Sequence, residues 1–142
     1  MKKAAIIIGV VIVIAIIIVY FFVYNKSGMN YERAKPDFRL SVKELYNAYI
    51  NNRSDAEKKF NGKMVEINGE LNSSEITDTS ATAIFVMSEG MFGDEGIRCV
   101  MLPKFITEMK NYYIGDKITI KGYCSGYNET DVILEHSSVK TK

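Results

Sequence analysis

Two cysteines, one histidine and a short acidic run are the residues of this sequence whose types could do chemistry. Cys99 and Cys124 could form a disulfide, or join His136 on a zinc ion, if the fold brought them together. A CxxC knuckle and a fourth ligand are both missing, which argues against the metal. His136 has Glu135 beside it but no nucleophile in a recognisable spacing: the sequence holds no Ser-His-Asp order, phosphate-binding loop or HExxH. Glu89, Asp94 and Glu95 lie in "SEGMFGDEG", which lacks the alternating oxygens and bidentate Glu of a calcium loop and reads as a solvated turn. The sequence therefore predicts no enzyme, no metal site and no cofactor.

The elements that must position these residues are periodic. "SVKE" at Ser41 is a capping box that starts a helix, and Val42, Leu45, Tyr46 and Tyr49 form its apolar stripe. A second helical turn is predicted over Asp55–Phe60. Beyond Gly62 the period becomes two, and strands are predicted over residues 63–71, 82–88, 97–102, 117–124 and 132–139, with 72–81 and 89–96 as loops. "PKFITEMKNYYIGD" reads as a helix ended by Gly115. Gly69 and Gly122 sit where strands would bend. Three strands, a helix and two strands is the order of the five-stranded OB-fold barrel. The fold class predicted is all-β with helices: that barrel, a helix between strands 3 and 4, and an N-terminal helix.

Ahead of it, residues 4–24 run 21 positions without a charge, a length that spans the roughly 30 Å hydrocarbon core. The run is too long for a signal peptide and lacks a small-x-small cleavage site. The organisation predicted is a tail (1–3), a transmembrane anchor (4–24) with Tyr20, Phe21, Phe22 and Tyr24 as its aromatic belt, a linker (25–40) and an OB-fold domain (41–142). The bilayer is then a partner through residues 4–24, and the protein a single-pass membrane protein displaying its domain outside the cytoplasm.

Residues 41–142 hold twelve basic and fifteen acidic side chains, a poor start for backbone binding of nucleic acid. On the outer positions of strands 2 and 3 only Arg98 is a cation. Tyr123 and Tyr127, near the turn joining strands 4 and 5, complete the predicted ligand face. The function predicted is a binding module for a peptide, glycan or protein. The alternative is a cytoplasm-facing domain that binds single-stranded RNA.

"FNGKMVEINGEL", "IRCVML", "IGDKITIKGYCSGY" and "DVILEHSSV" resemble the tRNA-anticodon-like OB-fold family of bacterial exported or membrane-anchored proteins, over about Ser41 to Val139. The resemblance implies kinship of fold with anticodon-binding barrels. Strand parity turns Cys99 and Cys124 toward the barrel interior. An even count and the apolar segment favour a disulfide between them; Ser137, where members of the family carry a further cysteine, favours two buried thiols.

Overall fold

The computed structural model describes residues 2–24 and 28–140, with side chains for 9–20 and 28–140. Two compact units divide the chain, Met1–Asn30 and Tyr31–Lys142.

The first unit holds helix α1, Lys2–Tyr24. Its described side chains run from Gly9 to Tyr20, roughly 18 Å at 1.5 Å per residue. Among the described residues no helix is long and apolar enough to cross a membrane. This corrects the expected transmembrane anchor. Of the expected aromatic belt only the Tyr20 side chain is described; Phe21, Phe22 and Tyr24 lie outside the described side chains.

The second unit is a curled sheet of seven strands ordered β1-β2-β6-β7-β5-β4-β3, which corrects the expectation of five. The strands are β1 (Phe38–Ser41), β2 (Met64–Glu70), β3 (Ser73–Ile76), β4 (Ala81–Gly90), β5 (Gly93–Met101), β6 (Lys117–Tyr127) and β7 (Asp131–Val139). One added strand, β1, comes from the presumed linker and pairs parallel with β2, Phe38 opposite Val65. The other, β3, comes from the presumed polar loop and pairs with β4. At the joint, the Leu71 amide donates to Asp116 and the Asn72 amide to Ile84, so the chain passes from the β6 side to the β4 side within two residues. Because β2 and β3 are joined so tightly, the sheet curls into the OB topology.

Helices α2 (Val42–Asn51) and α3 (Arg53–Phe60) precede β2. The capping box forms as its spacing requires: the Glu44 amide donates to Ser41 Oγ at 3.2 Å, and Glu44 Oε2 accepts from the Ser41 amide at 2.7 Å. The α2 stripe, Val42, Leu45, Tyr46 and Tyr49, is buried against the sheet. Gly69 allows the close approach, since a Cβ there would collide with the Val42 side chain. Between β5 and β6 the expected long helix is a 3-10 turn, Pro103–Phe105, followed by one turn of α4, Ile106–Met109.

The core residues lie between Val42 and Val139, so Tyr31–Lys142 carries the whole core described. Each large aliphatic or aromatic side chain buried there contributes about 1.5–3 kcal/mol. Parallel pairing of β5 with β7, and antiparallel pairing of each with β4 or β6, brings one end of the barrel together. The ends of β4 and β6 meet the starts of β5 and β7 there. That hairpin end carries the groups of interest.

Candidate functional site

The alternation of "KITIKGYC" buries Ile118, Ile120 and Cys124 and turns Lys117, Thr119, Lys121 and Tyr123 outward. Cys99 and Cys124 are fully buried free thiols. Their register explains why they are apart: Cys99 pairs with Leu134 from one side and Cys124 with Leu134 from the other. Two strand spacings set their Cα atoms about 9–10 Å apart along the sheet, beyond the reach of a disulfide. Burial raises both thiol pKa values; for Cys124 hydrogen bonding with Tyr49 and the Gly126 backbone opposes the rise. Protonated thiols are neither nucleophiles nor metal ligands.

Beside them, Tyr49 is almost wholly buried and gives its proton to Asn61 Oδ1 at 2.5 Å, and its own hydroxyl oxygen lies 3.2 Å from Cys124 Sγ. In the Tyr49–Cys124 contact either the hydroxyl or the thiol can donate. Burial, followed by the contact with Cys124, pushes the Tyr49 pKa well above its ordinary value.

Arg98 is not free to meet a phosphate. Its Nε donates to Asp131 Oδ2 at 2.9 Å, and its Nη1 lies 3.6 Å from Glu75. Asp131 is buried and accepts from the Gly96 amide at 3.0 Å with its other oxygen. The carboxylate thus ties the first turn of β7 to β5 and neutralises the guanidinium.

Tyr127 lies at the same end. Its ring is 5.8 Å from that of Tyr49, the Arg53 guanidinium sits 5.5 Å from its centroid, and its hydroxyl donates to the Glu129 carbonyl at 2.9 Å. Tyr123 stands elsewhere, on the outer face of β6, edge-on to Tyr31 at 5.8 Å. Tyr31 in turn stacks on His136 at 4.2 Å. His136 reaches that face because Glu135 and His136 oppose the single residue Val100, a bulge in which His136 takes φ 49°. The structure therefore brings Arg98 and Tyr127 to one end and leaves Tyr123 on another face.

Other residues at the hairpin end escaped the sequence reading. "EGMFGDEG" is not a loop: β4 and β5 continue through it to a two-residue turn, Met91–Phe92, between paired Gly90 and Gly93. The two glycines bracketing Met-Phe were the signal for a tight hairpin turn. At its base Tyr46 Oη lies 3.0 Å from Ser88 Oγ and donates to Glu95 Oε2 at 3.1 Å. Burial, chiefly, raises the Tyr46 pKa. At its tip Met91 and Phe92 are 92% and 93% exposed.

A depression of about 440 Å³ lies over β6 and β7 and is lined by Glu32, Glu66, Lys104, Phe105, Lys121 and Lys140. Its charges answer one another: Lys104 pairs with Glu32 at 2.7 Å, and Lys121 donates to the Glu32 and Ala34 carbonyls. Among the described residues no group of three His, Cys, Asp or Glu is placed to hold a metal ion.

Residues 1–139 match the tRNA_anti-like family. The chain belongs to that family. Among solved structures, this tRNA_anti-like chain shares its fold with a lipoprotein from Klebsiella pneumoniae subsp. pneumoniae that is provisionally described as nucleic acid-binding. The two are 16% identical, with a TM-score of 0.56 over 72% of this chain and 91% of that one. A weaker likeness is to the yeast Stn1 and Ten1 structure, 8% identical, TM-score 0.41, over 80% of this chain and 66% of that one. No curated protein matches the chain. The tRNA_anti-like assignment agrees with the curled sheet and its β5–α4–β6 crossover, and it is a binding fold rather than an enzyme family.

Proposed function

We propose that this chain is a binding module that recognises a protein or peptide partner through the hairpin end of its barrel. The observation that carries this reading is the state of Arg98. It is the one cation on the outer positions of β4 and β5 among the described residues, and Asp131 and Glu75 hold it. Nucleic-acid binding by an OB face relies on free cations along the backbone path and aromatics on which bases stack. The outer positions of β4 and β5 offer Thr82, Val86, Arg98 and Val100 around a buried Ile84, with no aromatic among them. The buried protonated thiols and the stacked His136 support a binder rather than a catalyst.

A second reading has its own observation. Tyr31, His136 and Tyr123 form an outward aromatic cluster on β6 and β7, the kind of surface on which single-stranded bases stack, and the Klebsiella lipoprotein of the same fold is provisionally described as nucleic acid-binding.

One experiment separates the two. Labelled oligothymidine and oligouridine of about 15 nucleotides are titrated at about 50 and 200 mM salt, beside selection of peptides from a displayed random library. The first reading expects a peptide consensus and no saturable oligonucleotide binding. Oligonucleotide binding that falls steeply with salt, and drops about tenfold in Tyr123→Ala, would overturn it in favour of the second.

A further inference from the structure

The distal hairpin breaks two rules at one place. Strand β3 accompanies β4 only as far as Ile84, and β7 accompanies β5 only from Gly96. Beyond those residues β4 and β5 continue as a two-stranded ribbon with no further strand on either side among the described residues, a form that is marginal in water. On it Glu89 sits directly opposite Asp94, a like-charge cross-strand pair that opposes the pairing. At its tip Met91 and Phe92 are all but fully exposed, more than any other large apolar residue described. A buried core elsewhere in the chain would hold such side chains; a solvated turn would replace them with polar ones.

Local conflicts of this sort mark functional places. Both are relieved by one kind of surface. A pocket of apolar side chains would take Met91 and Phe92 out of water, and a basic rim would stand against Glu89 and Asp94. Anionic lipid offers the first without the second and meets the acids with like charge.

Resting on the reading that the module binds a protein or peptide, we infer that the Met91–Phe92 tip is its docking finger, inserted into an apolar cleft rimmed by Lys or Arg on a partner protein. Phe92 is the anchor, since aromatic side chains in desolvated pockets dominate interface energetics. Glu89 and Asp94 set orientation and speed encounter. Glu95, held by Tyr46 and Ser88, stiffens the base of the finger so that less freedom is lost on docking.

The test uses the full chain and a labelled amphipathic peptide of Leu and Lys, with a Leu and Glu peptide and anionic vesicles as comparators. The ratio between variants reads the tip. The Leu/Lys peptide should bind the native chain and lose at least tenfold in affinity to the Met91→Ser, Phe92→Ser double variant, with melting temperature unchanged. Charge reversal, Glu89→Lys with Asp94→Lys, should shift preference toward the Leu/Glu peptide. Equal affinity for native and double-Ser chains would overturn the finger while leaving peptide recognition elsewhere intact. Vesicle binding lost in the double-Ser variant would overturn it in favour of a lipid surface. Failure of the broader reading appears differently, as the salt-dependent oligonucleotide binding described above.

Discussion

The base and the tip of the β4–β5 hairpin lie on the same strands and follow opposite rules. At the base every donor has an acceptor: Gly96 and Arg98 share Asp131, and Tyr46 and Ser88 share Glu95. Among the described residues no buried side-chain polar atom lacks a partner. At the tip two carboxylates face each other and two large apolar side chains face water. Stability is concentrated in the first region, while the second keeps unsatisfied surface in reserve for another molecule.

The largest effect that tests this contrast is a pair of truncations on β4 and the turn that follows it. Phe85 is fully buried, so Phe85→Ala should cost about 3–5 kcal/mol in urea unfolding. Phe92→Ala should leave unfolding within about 0.5 kcal/mol of the parent. Comparable losses at the two positions would mean the tip packs in solution and the contrast is false.

Next in size is Asp131→Ala. It strands the Gly96 amide and the Arg98 guanidinium, at a cost of about 2–3 kcal/mol. Pairing the change with Arg98→Ala in a double-mutant cycle should return part of that loss, because the uncompensated charge goes with it. Strict additivity would argue that Arg98 is held from elsewhere.

Alkaline pH probes the buried side of the comparison. Burial raises the folded-state pKa values of Cys99, Cys124 and Tyr49. A group whose folded pKa lies above its unfolded value gives stability that is fully present below the unfolded pKa and is lost as pH rises toward the folded one. Stability should therefore be insensitive to the thiols below about pH 8 and fall above about pH 8.5, where the unfolded thiols ionise, by up to about 1.4 kcal/mol per group per pH unit. Denaturation midpoints between pH 7 and 10 would check this, and Cys99→Ala should flatten the slope. A midpoint that rises with pH would contradict the buried, protonated thiols.

What was legible in the sequence was what local chemistry dictates. The Ser41–Glu44 box, the α2 stripe and the alternation of "KITIKGYC" each need only near neighbours, and each stands where its spacing placed it. What was not legible depends on partners distant in sequence. Short polar β1 and β3 exist because β2 and β4 offer them hydrogen bonds, and "EGMFGDEG" is strand because two unfavourable halves pair with each other. Parity put both cysteines inside, and β7 lies between them because it pairs with β5 on one side and β6 on the other. Arg98 looked like a free cation because Asp131, 33 residues away, is brought beside it only by the parallel β5–β7 pairing.

The smallest effect has the most to say about the tip. If the Glu89–Asp94 pair is a cost carried for a partner, Glu89→Gln should stabilise the isolated chain by a few tenths of a kcal/mol, since it removes a like-charge pair without changing shape. The gain should shrink in high salt, where the native repulsion is already screened. Thermal unfolding at about 20 mM and 500 mM salt reads both. The same substitution should slow association with the Leu/Lys peptide while leaving dissociation governed by Phe92. A substitution that steadies the fold and weakens capture is the signature of a finger shaped for its partner; a Glu89→Gln chain no more stable than its parent would place the two carboxylates too far apart in solution to matter.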